Sequence, residues 1–225
     1  NFAISDAAEL FVLLAGWSCS YATGGPGKPE PTPRVAFRLL SRAVEIYRAQ
    51  VVISAIALAM LAGMALMVAA FWAWSRGNPL YLEWHNASGA FYDPVRAVVG
   101  SVLLSYQLSY FNILPLYVAI LLVAPAFIFV ARRSLVAALV LSYGTYLGAI
   151  LTHTNLPSWP VENSWYFNPL SWQVLFVTGF VAAELAERDP NTTEVARRMI
   201  PYAAALVLAG LAVRLLEYWP DPLEV

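Results

Sequence analysis

Residues 49–74, AQVVISAIALAMLAGMALMVAAFWAW, run without a charge or a proline. A hydrocarbon core about 30 Å thick is crossed by about 20 consecutive apolar residues in a helix, and this stretch is longer than that. It reads as a transmembrane helix. Five more stretches have the composition of spans: Ile4–Ala22, Ile113–Ala131, Ser134–Thr152, Trp165–Ala183 and Met199–Leu216. The expected fold class is therefore all-α, a polytopic transmembrane helix bundle with about six spans. Pro115 and Pro125 can kink the third of these spans, while Asn168, Pro169 and Gln173 dilute the first half of the fifth.

Composition agrees. Hydrophobic residues make up 60% of the chain and charged ones only 12%, a balance few soluble domains approach. Many of the eight Trp and twelve Tyr stand near the ends of apolar runs, as in the aromatic belts of bilayer proteins. A net charge of −1 gives no electrostatic case for nucleic acid. The lone Cys19 lies in an apolar run, and His85 and His153 are far apart, so no metal-ligand spacing is present. The chain opens on Asn1 with no basic leader region, and it closes on an apolar helix. The expectation is a piece of a longer membrane protein.

Charge sets the orientation. Gly24–Pro33, GGPGKPEPTP, is a linker that ends the first span, and Arg34–Arg48 reads as a basic helix on the surface before span two. Pro94–Leu108 reads as an interfacial or re-entrant helix. Ten of the 13 Lys and Arg residues fall in alternate loops, which places residues 24–33 in the cytoplasm. The same bias puts residues 75–112 and His153–Ser164 outside.

Candidate chemistry starts at ISDAAELFVLLAGWSCSYATG, residues 4–24. Asp6 and Glu9 are three apart, on one face of the first span near its outer end. Two readings stand: helix-start charges in the headgroup zone, or a carboxylate pair facing the bundle interior. His85, in EWHNASG beside Glu83, can act as a general base near neutral pH, whereas His153 can equally end a helix. In NSWYFNPLSWQ, residues 163–173, Asn168, Ser171 and Gln173 offer hydrogen bonds beside the rings of Trp165, Tyr166, Phe167 and Trp172. That mixture suits a sugar ring or a pantetheine chain. It also suits a helix start with Asn168 as N-cap and Pro169 first in the helix, and Asn112 can cap span three in the same way. Arg34, Arg38 and Arg42 can hold the phosphates of an anionic cofactor or meet lipid headgroups. No glycine-rich phosphate loop or GxSxG elbow is present.

SDAAELFVLLAGWS, RLLSRAVEIYRAQ, NPLYLEW, FNILPLYVAILL and NSWYFNPLSWQVLFVTGF resemble successive blocks of the OpgC family. That family resembles the acyltransferase-3 group of integral membrane proteins. The resemblance implies a multi-pass enzyme of the bacterial inner membrane, an O-acyltransferase that adds succinyl groups to periplasmic glucans. It implies acyl-CoA, here succinyl-CoA, as a co-substrate rather than a tightly bound cofactor, with a glucan or related glycan and membrane lipid as partners. The Arg pair of the larger group matches Arg38 and Arg42, spaced RLLSR here rather than RxxR. The group's histidine lies on a helix preceding the matched block, which puts the expected base outside this chain. Relatives have more spans, around ten, so this chain is expected to be one membrane-embedded acyltransferase domain over residues 1–225, incomplete at both ends. Asp6, Glu9 and His85 are the catalytic candidates, Arg34, Arg38 and Arg42 the donor-binding ones, and Asn168, Trp172 and Gln173 the substrate-binding ones. The rival reading is a transporter or flippase that moves a glycan or acyl donor without chemistry.

Overall fold

In the computed structural model the described residues are 7–24, 32–72, 89–90, 93–108, 111–161 and 163–188, with Asn191, Glu194, Arg197, Arg198, Pro201, Ala205 and Leu208 beyond them. Leu61 and residues 64–72 are described by backbone alone. Six helices are named: α1 Ala7–Ala22, α2 Thr32–Trp72, α3 Pro94–Val102, α4 Ile113–Ala131, α5 Leu135–Leu151 and α6 Pro169–Arg188. Among the described residues there is no strand, only a single antiparallel bridge between Pro157 and Ser164.

The protein is an all-α membrane protein. Among the described residues, three helices are long and apolar enough to cross a membrane: Thr32–Met60 within α2, α4, and α6. α1 and α5 are apolar but shorter. The sixth expected span, Met199–Leu216, lies almost wholly outside the described residues. The chain forms two compact units, residues 1–30 with 175–225, and residues 31–174; the division falls inside α6.

Within the 31–174 unit, the expected surface helix and the span after it are one helix of 41 residues, α2. Neither Gly nor Pro stands between Arg34 and Ala62, so nothing in the chain breaks the backbone ladder there. The buried face of α2 steps by three or four residues through Val35, Leu39, Ala43, Ile46, Gln50 and Ser54. It packs on α4, which in turn packs on α5. Arg132, just past the end of α4, donates to the Thr32 hydroxyl at the start of α2 across 3.2 Å. Phe111, just before α4, shares an apolar cluster with Ala57 and Leu58. The two helices are therefore antiparallel, and α4 runs alongside the basic half of α2. The basic segment expected before span two is thus continuous with that span and packs beside α4.

Local signals explain most boundaries. Asp93 caps α3 by accepting from Arg96 N at 3.1 Å, with Pro94 in the first position. α3 ends at Val102, well before the expected Leu108, because Leu104 turns left-handed at φ 59°. Leu104 N donates to Ser101 O and Ser105 N to Gly100 O, the paired bonds of a Schellman motif. Ser134 caps α5 by accepting from Ala137 N at 3.1 Å. Asn112 occupies the cap position of α4 with helical dihedrals and no side-chain cap bond, contrary to its expected role. Pro115 falls in the first turn of α4, where a missing N–H costs little; Pro125 is the proline inside the helix.

In the other unit, α1 and the later turns of α6 touch backbone to backbone. A methyl group on Gly16 would collide with the Phe176 carbonyl oxygen, and one on Gly179 with the Leu13 carbonyl oxygen. Farther along, Ser20 meets Glu184, so residue numbers rise together in both helices and the pair is parallel. Small residues at the crossing are what membrane helices use for close approach, since lipid supplies no hydrophobic drive between them.

Candidate functional site

Three groups of polar residues emerge. The first belongs to the α1 unit. Glu9 is half-buried in the first turn of α1, while Asp6 lies outside the described residues, so their shared face rests on spacing alone. At the far end of α1, Ser20 Oγ donates to Glu184 Oε1 at 2.8 Å. Arg188 Nη2 donates to Glu184 Oε2 at 3.2 Å, one turn along α6. Glu184 is only 7% exposed; its partner Ser20 is buried, and so is Thr23, which donates to the Ser20 carbonyl. The sequence reading passed over Glu184. The available signal was an acid in VAAELAER with a basic residue four positions later.

The second group is the basic half of α2. Arg34, Arg38, Arg42 and Arg48 are all exposed. Pro33, Arg34, Phe37, Arg38 and Ser41 line an open groove of about 540 Å³. Arg42 is paired with Glu45 at 2.9 Å. The groove thus brings together two of the three arginines singled out for donor binding, with Arg42 one turn beyond. On the packed face of the same helix, Gln50 donates through Nε2 to Ser54 Oγ at 3.0 Å, and its buried Oε1 has no partner.

The third group is built from the segments expected outside. His85, Glu83 and Glu162 lie outside the described residues. His153 is exposed at φ 51°, directly after the α5 cap residue Thr152. Its N–H donates to Ile150 O and that of Thr154 to Ala149 O, so His153 closes a second Schellman motif. The chain then forms a tight loop in which Asn155 Nδ2 donates to Trp165 O and Trp165 N to Leu156 O. Trp159, joined to Pro160 by a cis bond, docks on α3: Ser105 Oγ donates to Trp159 O at 3.1 Å. Gly100 is required there, because a methyl group would meet the Trp159 carbonyl oxygen. Burial pushes the Tyr106 phenol above its usual pKa beside this contact. The two segments expected outside are thereby joined into one platform.

The three substrate-binding candidates differ in what they have free. Asn168 caps α6, accepting from Leu170 N at 3.0 Å and donating through Nδ2 to Thr154 O at 2.7 Å. Gln173 is buried, accepting from Ser142 Oγ and donating to the carbonyls of Ser142 and Leu170. Both are engaged with the protein itself. Trp172 stacks edge-on with Phe167 at 4.6 Å, and Phe167 with Tyr166, whose ring is 78% exposed. The aromatic face is the open part of this group.

The family model described as OpgC protein matches residues 1–225, the whole sequence. The chain belongs to the OpgC family. Membership makes it a transferase of the glucan-modifying kind, and the apolar helices agree with a membrane protein. No curated protein and no solved structure matches the chain. In this OpgC-family chain, the groove at the start of α2 sets Arg34 and Arg38 beside open space on a helix long and apolar enough to span.

Proposed function

We propose that the chain carries out membrane O-acyl transfer from a cytoplasmic acyl-CoA, succinyl-CoA in the narrowest reading, to a hydroxyl of a periplasmic glucan. The observation that carries this is the arginine groove. It opens at the end of α2 that the Lys and Arg bias assigns to the cytoplasm. Arg34 and Arg38 offer forked donors to phosphate oxygens there, with Arg42 deeper along the helix. The acceptor arrives at the opposite side, where the joined outer loops and the ring of Tyr166 present flat apolar faces.

The reaction needs no nucleophile from the protein. The sugar oxygen forms a bond to the thioester carbonyl carbon, the C–S bond breaks, and the CoA sulfur leaves with the proton equivalent. A carboxylate of α1, Glu9 or Asp6, orients the base that takes the hydroxyl proton. The inner membrane and multi-pass insertion belong to the same proposal, because donor and acceptor stand on opposite sides.

Titration of acyl-CoA on the purified full-length protein tests it. Arg38→Ala and Arg42→Ala should each raise the donor KM about tenfold, the effect of losing one charge-assisted contact, with little change for acceptor. Arg→Lys should restore only part of the loss, since the forked geometry is gone. Equal donor KM in wild type and both Ala variants would show a stripe that serves topology alone.

A further inference from the structure

Each carboxylate oxygen of Glu184 already has a donor, Ser20 on one side and Arg188 on the other. Ser20 is fixed in turn, its carbonyl accepting from Thr23 Oγ1 at 3.0 Å. This arrangement holds a helix rather than performing chemistry. The contact at Gly16 and Gly179 brings α1 and α6 together through bare backbone, with no side-chain hydrogen bond from either glycine. A slip of one residue moves a helix about 1.5 Å along its axis and turns it about 100°. The Ser20–Glu184 bond resists both motions. Glu9 stands at the opposite end of α1, about 16 Å from Ser20 along the axis.

We infer that Glu184 is a positioning residue: through Ser20 it fixes the depth and rotation of α1, and with them the carboxylate of Glu9. The inference rests on the reading of Glu9 as part of the acyl-transfer site.

The test uses the full-length protein in bilayers, with Cys19 replaced and spin labels at Tyr21 and Leu185, both exposed. Glu184→Ala and Ser20→Ala should broaden or shift the label distance, and Ser20→Thr, which keeps the hydroxyl, should not. In unlabelled protein the two Ala variants should lose about tenfold to a hundredfold in kcat per folded molecule, with donor KM changed less than about twofold. A merely structural role would instead lower the yield of folded protein and leave its kcat intact. Unchanged label distances in both Ala variants overturn the inference whatever the activity. Shifted distances with wild-type kcat overturn it as well. Full activity of Glu9→Gln removes the underlying site reading, and the inference with it, even where the distances shift as expected.

Discussion

Arg132 and Thr32 tie the last turn of α4 to the first turn of α2 across 3.2 Å, so the two helices share a common floor. Counting upward at about 1.5 Å per residue puts Arg38 about 9 Å and Arg42 about 15 Å above it. α4 carries no charged residue from Ile113 to Ala131, so both arginines stand at the level of a wholly apolar helix. At the centre of a bilayer an arginine costs about 2.5–3.5 kcal/mol on insertion scales unless it meets water or a polar partner. The pairing of Arg42 with Glu45 supplies part of the compensation.

Cysteines at Ser41 and Glu45, in a protein with Cys19 replaced, should react with a charged, membrane-impermeant thiol reagent from one side of the bilayer. Cysteines at Val136 and Leu147, exposed on the apolar α5, should not. Unreactive thiols at 41 and 45 would mean that this face is covered by lipid or by protein.

Gly16→Ala and Gly179→Ala should each destabilise the protein by about 1–3 kcal/mol, because the added methyl meets backbone that cannot step aside. Gly144→Ala and Gly148→Ala are the controls, having nothing within 4 Å of the new methyl. They should be neutral or stabilising by about 0.5–1 kcal/mol through helix propensity. A thiol-reactive fluorophore reporting the exposure of buried Cys19 on heating reads both effects.

His153→Gly should raise stability by about 0.5–1 kcal/mol, since the left-handed cap position penalises a β-carbon. Acyl transfer should be unaffected if the residue only ends α5. A gain in stability joined to a loss of transfer would assign chemistry to the imidazole.

Tyr106 gives a pH dependence at the platform formed with Trp159. Its native pKa is raised above 10.0 by burial, so folding favours the neutral phenol. That contribution is complete below pH 10.0 and is lost as pH climbs from there through the raised native value. Wild type should therefore lose its advantage over Tyr106→Phe only in that alkaline window, as read by unfolding midpoints at a series of pH values. A gap between the two that is constant across the window would remove burial as the cause.

The helices themselves were legible because apolar runs of the right length leave few alternatives in a bilayer. Asn168 and Pro169 announced the start of α6 through ordinary cap chemistry. What sequence did not reveal was register. Nothing in RLLSRAVEIYRAQ tells that it runs beside α4 rather than below it, since that depends on which helix it pairs with. Glu184 was passed over for a similar reason: its partner Ser20 is 164 positions away. Leu104 and His153 occupy positions where glycine is usual, so composition pointed away from both caps.

The distance between Ser20 and Glu184 also has a temporal side. A chain made at about 5–20 residues per second delivers α6 on the order of ten seconds after α1. For that interval the Ser20 hydroxyl and the bare Gly16 surface are without their eventual neighbour. The pairing that sets α1 against α6 can therefore form only once the chain has been made through Glu184.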